Sequence, residues 1–313
     1  MEFADKIDAR LSSRFGDVLD NSEKYFVIPL LLIALSLGIL FYNYYSTGEF
    51  LDKGTDFAGG TEITFEVQGE FNANEIEALF DSNGRSSVNA MKQSTGEREL
   101  LLVEIPPPEM DRDEALRIMQ DEGGYNVSID GFSSISASVS GTFFRQAEFA
   151  FILAFTTMSI VIFYAFKDFI PSLAVVFAAA GDIIVAAGGM ALFGIPLTLG
   201  SLAALLMLVG YSVDTDIVLS TRTLKMSRGS LNSRMWSALK TGVTMSSGGI
   251  AGFTLLYIVS YSIVGPSSLS NIASVMVIGL VADIPLTWFG NTAILKKYIE
   301  GDFENFSQVV PWI

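Results

Sequence analysis

The chain has 313 residues, of which 50% are hydrophobic, and 34 acidic residues against 19 basic ones give it a formal charge of −15. It contains neither cysteine nor histidine, which excludes disulfides, thiolate nucleophiles, imidazole bases and metal sites built on those ligands. Its apolar residues fall in long runs, so we expect a polytopic membrane protein. No pattern in the sequence indicates a catalytic residue, a cofactor or a metal.

Six apolar segments are each long enough to cross about 30 Å of hydrocarbon as a helix. They cover residues 25–45, 147–166, 170–193, 197–221, 242–263 and 268–290. The organisation predicted from them is a cytoplasmic segment (1–24), transmembrane helix 1 (25–45), an extracytoplasmic domain (46–145), transmembrane helices 2–6 (146–291) and a cytoplasmic tail (292–313).

The positions of the basic residues predict the orientation of the chain. Lysines and arginines flank the segment ends that would be cytoplasmic: Lys6, Arg10, Arg14, Lys24, Lys167, Arg222, Lys225, Arg228, Arg234, Lys240, Lys296 and Lys297. The loops at 194–196 and 264–267 contain no lysine or arginine. This alternation follows the positive-inside rule, so both termini are expected on the cytoplasmic side of the cell membrane.

The polar insertion at 47–145 contains 19 acidic and 7 basic residues, a charge that argues against nucleic-acid binding. Alternation, caps and turn residues predict its elements. In order these are strand 61–67, helix 72–84, strands 86–93 and 99–105 with Gly96 in their turn, a helix after Pro106, and a strand at 125–129. The order βαββαβ is typical of a ferredoxin-like domain.

Four aspartates lie inside predicted spans: Asp182, Asp214, Asp216 and Asp283. A carboxylate at the centre of a membrane helix costs roughly 2.5–3.5 kcal/mol on insertion scales, and such residues usually mark an ion or proton path. The alternative is an aspartate that reaches water or caps a neighbouring backbone. Asp214 and Asp216 are about 200° apart around a regular helix. We therefore expect one to face this chain's own helices and the other to face a second subunit.

Two cations are predicted near this aspartate pair, at the adjoining ends of the fourth and fifth spans: Arg222 and Lys240. An aspartate with a basic neighbour suits a proton relay, and it equally suits an inert ion pair. The sequence leaves both interpretations open.

Two glycine-rich stretches predict close approach of the backbone. GTDFAGGT at 54–61 follows the first span and is interpreted as a structural joint between the membrane helix and the domain. Gly248 and Gly252 have the GxxxG spacing that permits close helix packing.

One span, a large external domain and five further spans, with GTDFAGGT at the first junction, resemble the SecF family of protein-export membrane proteins. That family is part of the resistance-nodulation-division superfamily. Its Gly-x-Asp-Phe-x-Gly-Gly-Thr signature matches Gly54, Asp56, Phe57, Gly59, Gly60 and Thr61. Its fourth-span signature matches Gly210, Tyr211, Ser212, Ile217, Val218 and Arg222, and Asp182 falls where the third span commonly carries aspartate.

The resemblance implies a six-helix bundle, half of a resistance-nodulation-division transporter, with a ferredoxin-like domain between helices 1 and 2. It also implies a non-enzymatic role: with SecD and a SecYE-type translocon, the chain would assist movement or release of unfolded exported polypeptides outside the lipid membrane. Bacterial relatives couple this to the proton gradient. An ungapped match places Thr215 under their functional aspartate and Lys240 under their arginine, a pattern similar to archaeal members. Protonation of Asp214 or Asp216 would then tilt the domain about the junctions at 46–54 and 133–146.

Three alternatives remain beside this hypothesis. A homo-oligomeric, proton-driven exporter of lipids or small hydrophobic molecules would have the same fold but no SecD-like partner. A structural scaffold of the translocon would tolerate charge-neutral substitutions at the aspartates. An intramembrane aspartyl protease is disfavoured, because GYSVDTD and AAAGD provide neither its Gly-x-Gly-Asp nor its Tyr-Asp context.

Overall fold

The computed structural model describes residues 2–95, 98–226 and 228–301, without the side chains of residues 2–9, 94 and 95. Gly96, predicted in a turn, and residues 302–313 of the predicted tail lie outside the described residues. The helices are α1 (Glu2–Asp20), α2 (Ser22–Tyr25), α3 (Val27–Thr47), α4 (Thr55–Ala58), α5 (Ala73–Ser82), α6 (Arg112–Arg117), α7 (Ala137–Phe166), α8 (Phe169–Phe193), α9 (Leu199–Ser220), α10 (Leu231–Ile263), α11 (Ser268–Pro285) and α12 (Thr292–Glu300). Short π-helical turns follow α6, α9 and α11 at Ile118–Glu122, Thr221–Lys225 and Leu286–Asn291.

Six helical stretches in the described part of the chain are long and apolar enough to cross a membrane, which confirms the predicted number. They are Ser22–Thr47, Ala137–Phe166, Phe169–Phe193, Leu199–Lys225, Leu231–Ile263 and Ser268–Glu300. Helices α7 and α10 begin about ten residues before the apolar segments that predicted them, because Ser136 and Ser230 cap them upstream. Hydropathy alone does not detect a helix that continues beyond the hydrocarbon.

The six spanning helices divide into an inner and an outer set. About half of the most apolar stretch is buried in α8 and α9, and 56% in the span that begins with α11, against 11% in α3, α7 and α10. The inner helices thus pack mainly against protein. The outer helices present most of their surface away from the chain.

Close packing of the inner helices depends on glycine at a few positions. A Cβ at Gly279 of α11 would lie 2.2 Å from the Leu208 side chain of α9, and one at Gly188 of α8 would lie 2.8 Å from the Ser36 Cα of α3. By contrast, no described atom lies within 4 Å of a Cβ built at Gly248 or Gly252. The prediction that this GxxxG pair makes a close helix contact is wrong within the chain, because both glycines face outward on α10.

The domain between α3 and α7 contains a four-stranded antiparallel sheet with the order β2-β3-β1-β4. Its strands are β1 (Gly60–Gln68), β2 (Asn89–Thr95), β3 (Arg98–Ile105) and β4 (Asn126–Ile135). Together with α5 and α6 this is the predicted ferredoxin-like βαββαβ arrangement. Ile63 and Phe65 of β1 pack against Ile76 and Phe80 of α5 on one face of the sheet. The opposite face is turned toward the ends of the membrane helices.

The N-terminal helix α1, which was not predicted, packs against the end of the bundle opposite the sheet domain. The Phe15 ring lies 5.6 Å from the ring of Trp236 at the start of α10. Lys296 of α12 donates to the Leu19 carbonyl at 2.7 Å and to Asp20 at 3.2 Å. The helix therefore joins the first and last described segments of the chain at one end of the bundle.

Candidate functional site

Three of the predicted aspartates meet at the centre of the inner helices. Asp182 comes from α8, Asp216 from α9 and Asp283 from α11, and each is 0% exposed. The carboxyl groups of Asp182 and Asp283 lie close to each other. We refer to these three residues as the carboxyl cluster.

Hydroxyl and amide groups surround the carboxyl cluster. Ser212 of α9 donates to Oδ2 of Asp182, and Ser246 of α10 donates to Oδ2 of Asp283 at 3.2 Å. Asn291 donates to Oδ1 of Asp216 at 2.7 Å. These contacts connect all three inner helices to α10 through polar side chains, which is the usual means of satisfying polar groups inside a membrane bundle.

The sixth span contributes Asp283 and two polar side chains that bond to the carboxyl cluster. Asp283, Thr287 and Asn291 are four residues apart, and the π-helical turn at Leu286–Asn291 begins directly after Pro285. Such turns inside α-helices occur frequently at functional sites. Thr287 and Asn291 were not among the predicted site residues, although their i, i+4, i+8 spacing with Asp283 is visible in the sequence.

Several buried polar atoms around the cluster make no hydrogen bond within the described part of the chain. Two are carboxylate oxygens, Oδ1 of Asp182 and Oδ2 of Asp216. Others are Oδ1 of Asn291, Oγ of Ser220 and Nε1 of Trp288. A buried polar group without a partner costs roughly 1–3 kcal/mol, and more if it is charged, so this region can accept further donors.

The cations predicted beside the aspartates do not pair with the carboxyl cluster. Arg222 donates to the carbonyl oxygen and the hydroxyl of Ser237, at 2.6 and 2.7 Å. Lys240 lies on the exposed side of α10 with its ammonium 5.7 Å from the centre of the Trp236 ring. Within the described residues, the hydrogen-bond donors to the three carboxyl groups are hydroxyl and amide side chains.

Asp214 lies apart from the cluster. It is exposed on the outward face of α9, whereas Asp216 is fully buried, as their angular separation predicts. In the fourth-span signature, Ser212 faces the cluster, and Tyr211 packs edge-on against Phe253 with ring centres 6.1 Å apart. Gly210 has no described atom within 4 Å of a Cβ built on it. The outward face of α9 is therefore formed by Gly210 and Asp214.

The GTDFAGGT stretch forms a joint between the domain and the α8–α9 connection. Asp56 accepts a hydrogen bond from the amide of Leu199 at 2.9 Å, and the amide of Gly54 donates to the carbonyl of Leu197 at the same distance. Phe57 is buried and packs edge-on against Phe144 of α7.

Two further positions of this joint require glycine, and a third, Thr61, bonds to the domain. Gly60 has φ = 117°, and a Cβ there would lie 2.3 Å from the carbonyl oxygen of Ile105; Gly59 has φ = 81°. Only glycine adopts such conformations without strain. Thr61 is buried and accepts from the amide of Met110 at 2.9 Å. The stretch predicted to be a joint thus contacts the domain, α7 and the start of α9.

A second contact joins the domain to the α10–α11 connection. Gln93 of β2 is 6% exposed and donates to the carbonyl of Pro266 at 2.5 Å. A cavity of about 1050 Å³ separates the two contacts, between the open face of the sheet and the outer ends of the inner helices.

Carboxylates line the sheet side of this cavity. Glu62 of β1 lies directly opposite Glu104 of β3. Burial raises the pKa of Glu62, and the charges of Glu104 and Asp56 raise it further, against a hydrogen bond from Thr55 that lowers it. Burial also raises the pKa of Glu104, while a hydrogen bond from Asn89 lowers it.

Known proteins match this architecture. A family described as "Protein export membrane protein SecD/SecF, C-terminal" matches residues 116–301. The protein-export membrane protein SecF of Methanothermobacter thermautotrophicus is 37% identical over 285 residues, which cover 90% of this chain and 94% of that protein. SecF of Methanocaldococcus jannaschii is 35% identical over 87% of this chain and 94% of its own length.

A solved structure has the same fold. It is the crystal structure of SecDF, a translocon-associated membrane protein from Thermus thermophilus, with a TM-score of 0.73 and 19% identity. The match covers 90% of this chain and 38% of the SecDF chain, so the chain spans well under half of that protein. Identity at this level supports the fold alone. The full-length similarity to archaeal relatives supports more, and the chain belongs to the SecF family of protein-export membrane proteins.

Proposed function

We propose that the chain is an accessory subunit of the Sec protein-export machinery that acts with a SecD subunit in the cell membrane. In this role it assists translocation or release of unfolded polypeptides on the outer side, and ion movement through the carboxyl cluster supplies the energy. The names of its relatives support the export role, since they are protein-export membrane proteins. The related SecDF chain is described as translocon-associated.

The observation that carries the energy-coupling part is the carboxyl cluster itself. Three carboxyl groups are fully buried among membrane helices, and their described partners include no lysine or arginine. An uncompensated buried charge is costly, and in membrane proteins such residues face the bundle interior and mark proton or ion paths. A proton or a cation entering the cluster would therefore change its net charge and the packing around it.

The same helices that carry the cluster also contact the outer domain. The joint at 54–61 touches the connection between α8 and α9, and Gln93 touches the connection between α10 and α11. A shift of these helices would move both supports of the domain together. A change in the charge of the carboxyl cluster would in this way move the outer domain.

The orientation proposed for the chain follows from the distribution of its basic residues. The connections that touch the domain, 194–196 and 264–267, contain no lysine or arginine, whereas Lys225, Arg234 and Lys296 lie at the opposite end. By the positive-inside rule that end is cytoplasmic, together with α1 and the chain's C-terminal end.

The outward faces of α9 and α10 are proposed to receive the SecD partner. Gly210 and Asp214 of α9 and Gly248 and Gly252 of α10 are exposed in this chain. Small residues permit close helix approach, and Asp214 needs polar neighbours if it lies within the membrane. A homo-oligomeric lipid exporter is the less favoured function, because the matched relatives are export proteins.

The test is purification of the tagged full chain from native membranes in mild detergent, followed by identification of the proteins that accompany it. We expect a stoichiometric six-span partner with its own outer domain, and a loss of protein export when the chain is depleted. A chain that purifies only with itself, from cells whose export is unaffected by its loss, would contradict the proposal. A Gly248→Leu variant should weaken the association, and Gly38→Leu, on the open side of α3, provides a matched control.

A further inference from the structure

One hydroxyl in the carboxyl cluster lies between two carboxyl groups. Oγ1 of Thr287 is 3.1 Å from Oδ1 of Asp216 and 3.1 Å from Oδ1 of Asp283. Thr287 is itself 0% exposed. Both distances are within the ordinary range for hydrogen bonds that involve a hydroxyl group.

A threonine hydroxyl has a single proton, so it can donate fully to only one of these two oxygens. The second contact is a full hydrogen bond only if Thr287 accepts, and a carboxyl group can donate only when it carries a proton. The geometry therefore fits one protonated and one ionised carboxyl group with Thr287 between them. Either of the two aspartates can be the protonated one.

Neighbouring groups hold this arrangement in place. Asn291 donates to the same Oδ1 of Asp216 that faces Thr287, and the Thr292 hydroxyl donates to the Thr287 carbonyl at 3.1 Å. The elements packed against the turn carry these charged or titratable groups: Asp182 on α8, Tyr211, Asp214 and Asp216 on α9, Asp283 on α11, Glu23, Lys24 and Tyr25 on α2, and Lys296, Lys297, Tyr298 and Glu300 on α12, while α3 has only tyrosines. Lys296 is bonded to Leu19 and Asp20, and Lys297 to Glu23.

We propose that Thr287 is the hydroxyl bridge through which a proton passes between Asp283 and Asp216. The proton on Oδ1 of Asp283 moves to Oγ1 of Thr287 as the hydroxyl proton of Thr287 moves to Oδ1 of Asp216. Asp283 becomes a carboxylate, Asp216 becomes a neutral acid, and the threonine hydroxyl is restored with its two hydrogen bonds reversed. The inference rests on the proposed function, since it describes the movement of the proton inside the same cluster.

The transport test uses the purified chain with its membrane partners in liposomes that contain a pH-sensitive dye, with proton entry driven by a potassium diffusion potential. We expect Thr287→Val, which keeps the shape but removes the hydroxyl, to slow proton entry by roughly tenfold or more. Thr287→Ser should retain most of the rate. The matched control is Thr223→Val, because Thr223 is also buried but its hydroxyl donates to the Leu219 carbonyl and not to a carboxyl group of the cluster.

A second readout does not depend on transport. The infrared C=O stretching band of a protonated carboxylic acid changes when its hydrogen bond is lost, so Thr287→Val should shift a band that Asp283→Asn or Asp216→Asn removes. Thr223→Val should leave that band in place. Near-ultraviolet circular dichroism of Trp288, 3% exposed and adjacent to the bridge, reports whether each variant is folded.

The outcomes separate the two hypotheses. If Asp216→Asn stops proton entry but a folded Thr287→Val variant matches the wild-type rate, the bridge is overturned and the proposed function is unaffected. If Asp216→Asn leaves proton entry unchanged, the proposed energy coupling is overturned, and the infrared band alone decides the bridge. A band that Thr287→Val does not shift overturns the bridge whatever the transport result.

Discussion

Carboxyl groups occur in two buried settings in this protein, and the comparison shows how the surroundings decide what such a group can do. In the membrane bundle, Asp182, Asp216 and Asp283 are fully buried and bonded to hydroxyl and amide groups. In the outer domain, Glu62 and Glu104 lie opposite each other on neighbouring strands, beside a large cavity. The outer pair is partly exposed, so water can stabilise its charge, whereas the inner carboxyl groups are fully buried and bonded to hydroxyl and amide side chains.

The two settings are connected by the joint at 54–61 and by Gln93. Both contacts reach connections between membrane helices that carry cluster residues. A change in the charge of the inner cluster can therefore be transmitted to the outer domain without a long flexible linker. The junction at 133–146, about which the domain is predicted to tilt, contains the end of β4, the Ser136 cap and the first turns of α7.

The largest expected effect is on the inner cluster, tested with two aspartates of one helix. Asp216→Asn removes a buried ionisable group, and we expect protein export to fall by about tenfold or more. Asp214→Asn, on the outward face, should retain most of the export. Export of a reporter protein in cells that carry each variant measures both. Equal losses in the two variants would contradict the separation between the faces of α9.

The second largest effect is expected at the joint at 54–61, which connects the outer domain to the membrane helices. Gly60→Ala places a Cβ against the Ile105 carbonyl at φ = 117°, and we expect a loss of about 2–4 kcal/mol in the free energy of unfolding of the outer domain. Gly69→Ala is the control, because Gly69 has φ = 106° but open space around it. Thermal unfolding of the full chain should show the larger loss at Gly60. Similar losses at both glycines would show that the backbone conformation, rather than the close contact, is limiting.

A smaller effect is expected at the second contact. Gln93→Ala removes the hydrogen bond to the Pro266 carbonyl, and we expect it to weaken docking of the domain by about 1 kcal/mol. Amide hydrogen exchange in the 264–267 connection should become faster. Lys92→Ala, on the same strand but bonded to the exposed Glu99, should leave that exchange unchanged. Faster exchange in both variants would indicate a general loosening of β2.

The smallest expected effect is the pH dependence of stability that Glu104 gives to the outer domain. Since burial raises the pKa of Glu104 in the folded protein, the folded state binds this proton more tightly than the unfolded state. The stability that Glu104 contributes is therefore greatest at low pH and is lost as pH rises through its folded-state pKa.

We expect Glu104→Gln to increase stability at neutral pH by about 0.5 kcal/mol. The substitution removes both the cost of burying the Glu104 charge and its repulsion from Glu62 across the sheet. Melting temperatures measured from pH 5 to pH 8 should decline less steeply in the variant. A steeper decline would contradict the direction assigned to Glu104.

Much of the fold was predictable because the signals that carry it are local. Long apolar runs predicted the six spans, and alternation, caps and turn residues predicted the βαββαβ order. The starts of α7 and α10 were missed, because Ser136 and Ser230 lie in polar sequence where a helix has no hydropathy signal. Helix α1 was missed because its apolar residues recur with helical spacing and form no continuous apolar run.

The candidate site was only partly predictable. The aspartates were identified by their position in apolar segments, and the separation of Asp214 from Asp216 followed from helix geometry. The pairing of Arg222 and Lys240 with these aspartates was inferred from proximity along the chain. In the structure Arg222 donates to Ser237 and the Lys240 ammonium lies over the Trp236 ring, so neither bonds to the carboxyl cluster, and a role for either cation beside Asp214 stays a prediction.

The sequence by itself determined the class of protein, the number of membrane helices, the sheet topology and the family, because each depends on residue patterns within a segment or on similarity along the chain. Only the tertiary structure decided which carboxyl groups meet, and that Thr287 and Asn291 join them. Those contacts depend on the rotation and spacing of α8, α9 and α11, which are set by close packing at residues such as Gly279 and Gly188. Packing of this kind joins residues far apart in the chain, so no local pattern encodes it.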